Sequence, residues 1–189
     1  KNILNYKINS LEMLNKRDKI CIISSTKSYK AIGDKVQKLL DNYKLEYEKK
    51  ILDKYKSDIY TGDKLAKFTQ KYNIIICIGS GSLIDLCKYS ANKNNKKLLI
   101  FCSSLSAAAT TSTVSLTLNG LKTSVKSKIP ESIIVDLENL RKTPMKLIRS
   151  SLGDVLCRST CQVDWLISNI LRNTSYDETP FELQYEDER

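Results

Sequence analysis

The segment IIICIGSGSLIDLCKYSA, residues 74–91, decides how this chain folds and what it can bind. Its apolar residues Ile74 to Ile78 have the length and β-branched composition of a buried strand. The turn Gly79-Ser80-Gly81-Ser82 follows, and a segment with helical spacing comes next. A strand, a glycine turn and a helix in this order are typical of a loop that holds phosphate. Ile84 replaces the third glycine of the GxGxxG fingerprint, so this segment alone equally fits a tight turn without a ligand.

Length and composition place the chain among folded globular proteins. It has 189 residues, of which 41% are hydrophobic and 28% charged. This suits one α/β domain, or one domain with part of a second. No uninterrupted apolar run of about 18 residues occurs, and the N-terminus lacks the features of a secretory signal. The first residue is Lys1 rather than Met, so we expect a piece of a longer product.

The net charge of +10 raises the question of a nucleic-acid partner. The lysines are scattered among Asn and Ile through every segment, and only 7% of the residues are aromatic. This pattern indicates the codon bias of an AT-rich genome rather than a binding stripe. We therefore expect no nucleic-acid partner, and a mild attraction for anionic cofactors or phosphorylated substrates.

Six cysteines indicate the redox compartment. Most of them lie inside apolar runs and none forms a CxxC pair, although Cys157 and Cys161 are one helical turn apart. Reduced, buried thiols in a cytoplasmic protein are the expectation, with a metal or disulfide role as the alternative. The six are Cys21, Cys77, Cys87, Cys102, Cys157 and Cys161.

The first hundred residues alternate between strands and helices. Such alternation predicts an α/β fold, with a Rossmann-like parallel sheet between flanking helices. The predicted strands are 19–25, 45–52, 74–78 and 97–102, and the predicted helices are 29–43, 65–72 and 82–92.

The alternation of predicted strands and helices ends after residue 111. Two alternating runs around Asn119-Gly120, within 112–127, predict a small β-hairpin, and 132–137 is a further buried strand. Pro144 marks a turn before a helix, and no strand is predicted from residue 150 onward. The expected domains are a dinucleotide-binding α/β domain at 1–149 and, at 150–189, the beginning of a truncated all-α metal and substrate domain. About 40 residues are too few for an independent core.

Three motifs together resemble one family. GSGSLIDLCKYSA is similar to the GGGSxxDxxKxxA signature of the iron-containing alcohol dehydrogenase and dehydroquinate synthase-like superfamily. Residues 103–116, SSLSAAATTSTVSL, resemble its TxxSxDxxxSxxxSL segment. Residues 133–168 resemble its VxxDxxxxxxxPxxxxxxGxGDxxxKxxAxxDWxLx block. A GD followed by DW is most like the sn-glycerol-1-phosphate dehydrogenase branch, and the resemblance covers residues 19–168.

This resemblance implies roles for particular residues. Asp154 matches a carboxylate that ligates the catalytic metal and touches the substrate, and Lys88 matches a family lysine one turn beyond Asp85. Simpler roles stay open: Ser103 and Ser106 fit a strand end and a helix cap, and Asp154 fits a carboxylate stabilised by a helix dipole. The implied cofactor-binding residues are Gly79, Gly81, Ser82, Leu83, Ile84, Asp85, Ser103, Ser106 and Ser112.

The chain departs from the family pattern in ways that concern catalysis. Ala108 stands where the family has an aspartate that binds the substrate hydroxyls, while Ser103 for Thr and Ser151 for Gly are mild changes. The 189 residues contain no histidine. Zinc or iron needs about three protein ligands, so a Zn²⁺ or Fe²⁺ ion is expected only in the full-length protein, with histidines beyond Arg189.

The resemblance implies an NAD(P)-dependent and metal-dependent oxidoreductase of the glycerol-1-phosphate dehydrogenase type. It would move a hydride between nicotinamide and glycerol-1-phosphate, dihydroxyacetone phosphate or a similar polyol. The catalytic half is missing here, so we expect this chain alone to be inactive. Ala108 and the absent histidines favour an alternative, a catalytically inactive NAD(P)-binding module or partner subunit. A dehydroquinate synthase-like cyclase is a third hypothesis, against which the DW pair argues.

Two further properties stay open from the sequence. The loop Ser24 to Lys27 has no acidic residue to hold a ribose 2′-hydroxyl, so NADP fits as well as NAD. Apolar helix faces after residue 150 favour association, with a homo-oligomer as one form of it.

Overall fold

The computed structural model describes residues 11, 14–104, 110–111 and 113–187. These residues form an α/β sheet layer followed by two helices, which confirms the expected fold class. The strands are β1 (Ile20–Ser24), β2 (Tyr47–Ile51), β3 (Ile74–Gly79), β4 (Lys97–Cys102), β5 (Val114–Leu118), β6 (Leu121–Val125) and β7 (Ser132–Val135). The helices are α1 (Thr26–Ser28), the π-helical turn Tyr29–Gly33, α2 (Asp34–Asn42), α3 (Ile59–Thr69), α4 (Gly81–Lys93), α5 (Leu137–Leu140), α6 (Met145–Arg172) and α7 (Thr179–Asp187).

The main sheet has five parallel strands in the order β2-β1-β3-β4-β7. Parallel strands need crossover connections. Helices α1 to α4 lie in the first three of these connections, and the hairpin of β5 and β6 lies in the connection from β4 to β7. The order reverses at β1, because β2 lies on one side of it and β3 on the other. Such a reversal opens a crevice at the carboxyl ends of the two central strands.

Two apolar layers cover the two faces of the sheet. Alternate residues of β3 divide between them: Ile76 and its neighbours two positions away pack with α2, whereas Ile75 and Cys77 pack with α4. All six residues of β3 are buried, as expected for a central parallel strand. Successive side chains of β3 therefore point to opposite faces of the sheet, and one continuous apolar run contributes to both layers of the core.

The predicted hairpin is present as β5 and β6. Asn119 and Gly120 form its two-residue turn with φ values of 50° and 80°. Positive φ at both central positions matches the right-handed twist of the paired strands, and Asn-Gly adopts it at low cost. Val114 and Leu116 are fully buried on the hairpin face that packs into the same core as α4.

Several boundaries differ from the sequence prediction. The helix expected at 29–43 begins three residues earlier, because Ser25 caps it by accepting a hydrogen bond from the Ser28 amide at 3.2 Å. The helix expected at 65–72 begins at Ile59, behind the capping carboxylate of Asp58. The N-termini of both helices are therefore determined by capping side chains rather than by the spacing of apolar residues.

The final helices have a different character from the sheet layer. Helix α6 runs for 28 residues without a break at residue 150, and none of its side chains is fully buried. It ends at Asn173, which adopts a left-handed conformation. Trp165 then donates a hydrogen bond to the Ser175 carbonyl at 2.7 Å, and its ring meets that of Tyr176 edge-on. Among the described helices, none combines the length and apolarity that a bilayer span requires.

Candidate functional site

A cavity of about 630 Å³ lies where the strand order reverses, at the carboxyl ends of β1, β3 and β4. Each of these strands is followed by serines that face this space, and the segment after β7 closes its far side. Crevices in this position are the usual ligand sites of open α/β sheets. The lining residues are Ser25, Lys27, Ser28, Lys30, Ala31, Tyr55, Ser80, Ser103, Ser104, Asn139, Lys142, Thr143, Pro144 and Leu147.

The glycine turn between β3 and α4 contributes Ser80 to the cavity lining. Gly81 has a φ of +42°, and a β-carbon there would meet no atom within 4 Å, so its need for glycine is conformational. Gly79 is needed for packing, because its β-carbon would lie 2.7 Å from the Leu83 side chain. The N-cap residue of α4, Ser80, makes no side-chain capping hydrogen bond. The Gly81 and Ser82 amides therefore remain available to an anion at the positive end of the helix, whereas the Leu83 amide donates to the Ser80 carbonyl at 3.2 Å.

A line of hydroxyl groups crosses the cavity from β1 to β4. Ser25 and Ser28 are 3.0 Å apart at their hydroxyl oxygens, and Ser103 donates to the Ser28 hydroxyl at 3.2 Å. The Ser103 amide also donates to the Gly79 carbonyl at 3.0 Å. Two predicted site residues, Gly79 and Ser103, are thus brought together by strand pairing from positions 24 residues apart.

An ion pair between the partly exposed Lys35 and the buried Asp136 holds the far side of the cavity in place. Asp136 is 0% exposed, and its two carboxylate oxygens accept from Lys35 Nζ at 2.8 Å and from the Glu138 amide at 3.1 Å. These bonds fasten α5 to α2. Asn139 of α5 then donates to the Ser103 carbonyl at 3.0 Å. The hydrogen bond that Lys35 donates to Asp136 is the main reason that the pKa of Lys35 is raised.

The electrostatic character of the cavity is basic. Lys27, Lys30 and Lys142 line it, and none of the lining residues is acidic. Thr143 also lines the cavity, and its hydroxyl oxygen is buried without a hydrogen-bond partner. The positive charge and the unpaired Thr143 hydroxyl together favour an anionic ligand with hydrogen-bonding oxygens.

Asp85 and Lys88 lie on α4 away from the cavity lining. Burial raises the pKa of Asp85 to about 6, against the opposing charges of Lys88 and Lys122. Lys88 is 0% exposed, and its burial lowers its pKa while the Asp85 charge raises it. An attraction between Asp85 and Lys88 is thus present. The two side chains lie at the interface between α4 and the hairpin that carries Lys122.

The other predicted residues fall into three groups. Leu83 and Ile84 are buried under the glycine turn, so any contact with a ligand would be through their backbone, and the Ser82 side chain is exposed. Ser106, Ser112 and Ala108 lie outside the described residues. Sequence reasoning missed Ser28, Asn139 and Thr143, which reach the cavity from α1 and from the segment after β7. The position of Ser25, a helix-capping residue type directly after β1, is the one sequence feature that could have indicated this part of the cavity lining.

Asp154 lies on the exposed surface of α6. Within the described part of the chain, no group of three or more His, Cys, Asp or Glu side chains is placed to hold a metal ion. These residues alone therefore do not fit a catalytic zinc or iron ion, which needs about three protein ligands. The cysteine expectation also needs a correction: Cys157 and Cys161 are exposed on α6, and only the other four are buried.

A doubly wound parallel sheet with a glycine turn and a basic cavity at its reversal point defines the class of α/β nucleotide-binding folds. Residues 2–144 match the family model of iron-containing alcohol dehydrogenases. The chain belongs to this family.

Relatives and solved structures agree with this assignment. A glycerol-1-phosphate dehydrogenase [NAD(P)+] of Saccharolobus islandicus is 34% identical over 161 residues, covering 82% of this chain and 44% of that protein. The chain thus spans less than half the length of this relative. An iron-containing alcohol dehydrogenase of Thermotoga maritima superposes with a TM-score of 0.66 at 18% identity, over 78% of this chain and 47% of the other. A 2-epi-5-epi-valiolone synthase of Streptomyces hygroscopicus, solved with NAD+ and Zn2+ bound, gives a TM-score of 0.61 at 13% identity, over 79% and 47%. The two structural matches show a common fold.

Proposed function

We propose that this chain is the dinucleotide-binding part of an NAD(P)-dependent dehydrogenase that acts on a polyol phosphate, with glycerol-1-phosphate and dihydroxyacetone phosphate as the substrate pair. The observation that carries the proposal is the basic cavity at the sheet reversal, whose lining includes Ser80, the N-cap residue of α4, which makes no side-chain capping hydrogen bond. The similarity to named glycerol-1-phosphate dehydrogenases supports the substrate class. Free thiols within the sheet core favour a cytoplasmic location.

In this proposal the pyrophosphate of the cofactor lies on the glycine turn. The Gly81 and Ser82 amides would donate to its oxygens, since a left-handed Gly81 leaves the approach open. Ser25, Ser28 and Ser103 would accept or donate along the sugar and phosphate groups that cross the strand ends. The cofactor supplies the hydride, and the residues of this chain bind and orient it.

The cofactor is proposed to be NADP(H) in preference to NAD(H). A 2′-phosphate needs cationic partners, whereas a free 2′-hydroxyl is usually held by a carboxylate. The cavity offers Lys27, Lys30 and Lys142 and no acidic lining residue. Ser25, at the N-terminus of α1, adds a hydroxyl beside Lys27.

Asp154 stays a proposed metal and substrate ligand, with its partners outside the described residues. One carboxylate alone does not hold a transition metal tightly. We expect the isolated chain to bind cofactor without turning over substrate. We also propose residues 1–149 and 150–189 as separate domains, with self-association through exposed apolar side chains of α6 such as Val163 and Ile170.

Ala108 favours a second candidate function. A methyl group cannot bind the substrate hydroxyls, so the chain would then be a nucleotide-binding module or partner subunit without catalysis. A cyclase of the synthase type shares the fold, and the Asp164-Trp165 pair continues to favour the dehydrogenase branch.

Titration with NADPH and NADH, followed by nicotinamide fluorescence, tests the binding proposal. We expect saturable binding of both, tighter for NADPH, and a loss of that preference in Lys27→Ala. Absence of binding to either dinucleotide would overturn the cofactor role. Turnover of dihydroxyacetone phosphate by the protein that contains this chain would separate the dehydrogenase from the inactive module.

A further inference from the structure

The six thiols of the chain occupy two contrasting environments. Burial raises the pKa of Cys21 to about 12 and that of Cys102 to about 11, so these thiols stay protonated and enclosed. Cys157 and Cys161 are instead exposed on α6. Thiol chemistry with solutes is therefore concentrated on one helix surface.

Helical geometry places these two exposed thiols side by side. Cys157 and Cys161 are four residues apart within the unbroken helix α6, so both project from the same face. Their β-carbons are then separated by about 5–6 Å. A disulfide needs a separation of about 3.5–4.5 Å, so the helix opposes direct oxidation of the pair. A bridging ion with bonds of about 2.3 Å to each sulfur spans the gap without distortion.

The neighbouring groups determine what kind of ion the pair can hold. Cys157 donates to the Asp154 backbone carbonyl at 3.2 Å, which places its sulfur along the helix surface. The Asp154 carboxylate cannot join both thiols on one ion, because it lies seven residues, or about 10.5 Å of helical rise, from Cys161. The protein ligands are thus two sulfurs, which suits soft ions rather than zinc in a four-ligand site.

We propose that Cys157 and Cys161 form a chelating dithiol site for a thiophilic metal or metalloid, such as cadmium or trivalent arsenic. A divalent ion displaces one proton from each thiol and forms two metal–sulfur bonds. A monosubstituted arsenic(III) oxide forms two arsenic–sulfur bonds and releases one water, which takes up both thiol protons. Neither reaction changes an oxidation state, so neither needs an oxidant or reductant. The site does not depend on the dehydrogenase proposal.

Titration with phenylarsine oxide tests this site on the whole chain. Thiols that remain free are counted by their rapid reaction with a chromogenic aromatic disulfide. We expect one equivalent of phenylarsine oxide to block both fast-reacting thiols. Because a second intramolecular bond forms at an effective concentration near the millimolar range, Cys157→Ser or Cys161→Ser should weaken binding by about 100-fold or more.

A rearranged pair provides the matched control. The double variant Cys161→Ser with Ser159→Cys keeps two exposed thiols on α6 but places them two residues apart, on opposite sides of the helix. It should bind about as weakly as the single variants. Equal affinity of the rearranged and native pairs, or a stoichiometry of two arsenicals per chain, would overturn the proposal. Circular dichroism of each variant checks that α6 is retained.

Discussion

The sheet layer and helix α6 use apolar residues in opposite ways. In the sheet layer, Ile76 and Phe101 are 0% exposed, whereas in α6 Ile170 is 71% and Leu171 76% exposed. Both segments are rich in Ile and Leu, so composition does not distinguish them. The sheet layer contains the packing that stabilises the cavity, while α6 presents a surface that nothing in the described residues covers. Substitutions in the two regions should therefore differ in size and even in sign.

The largest contrast is expected when the same substitution, Ile to Ala, is made once in the sheet layer and once in α6. Ile76→Ala should lower the free energy of unfolding by about 2–5 kcal/mol, because it leaves a cavity between β3 and α2. Ile170→Ala should change it by less than about 0.5 kcal/mol, because no packed core is disturbed. Urea denaturation followed by circular dichroism measures both. Equal losses would mean that α6 is packed as tightly as the sheet.

Removing one partner of the ion pair between Lys35 and Asp136 should have the next largest effect on stability. Lys35→Met leaves the Asp136 carboxylate buried without its cation and should cost roughly 2 kcal/mol of stability. Lys35 is partly exposed, so water recovers some of the loss. The exposed pair Lys71–Glu48 provides the control, and Lys71→Met should cost much less stability because both side chains of this pair are solvated. A negligible loss at Lys35 would show that α5 is held by other contacts.

Glycine replacement should have opposite signs in the two regions. Gly81→Ala should destabilise by about 1 kcal/mol, since φ at +42° strains an L-residue, and it should also weaken dinucleotide binding. Gly153→Ala lies inside α6 with open space around the new methyl group. It should stabilise by about 0.5–1 kcal/mol through helix propensity. Paired urea titrations would reveal a common sign, which would contradict the assigned backbone conformations.

The smallest expected effect is a pH dependence from Asp85. Its pKa is raised from 3.8 to about 6 by burial, so the folded state holds this proton more tightly than the unfolded chain does. The stability that Asp85 contributes is greatest below pH 4 and declines as the pH rises through about 6. Asp85→Asn should remove this decline and gain about 1 kcal/mol relative to the native chain at pH 7, after allowance for solvent screening.

Asp58 supplies a control of opposite sign. Hydrogen bonds from Thr61 lower its pKa, so its contribution is lost as the pH falls through the acid range. Asp58→Asn should therefore flatten the acid limb of the stability profile instead. Unfolding free energies measured from pH 3 to pH 8 would contradict both assignments if the two variants shifted the same limb.

Sequence patterns were sufficient for local structure and for the family. The continuous apolar run at Ile74–Ile78, the glycines after it and the Asn119-Gly120 turn each act through the backbone conformations of neighbouring residues. Such short-range preferences leave a direct signal in the sequence. The two helix starts that were predicted too late depend on single capping side chains, Ser25 and Asp58, which apolar periodicity does not detect.

The tertiary structure alone decided how the cavity is assembled and which polar groups are buried. Ser25, Ser103 and Asn139 meet only because three strand ends share one sheet edge, and Lys35 reaches Asp136 across 101 positions of sequence. The burial of Lys88 and the exposure of Cys157 and Cys161 likewise could not be predicted from the residues next to them in the sequence. A residue's burial depends on what long-range folding places against it, and no local pattern records that partner.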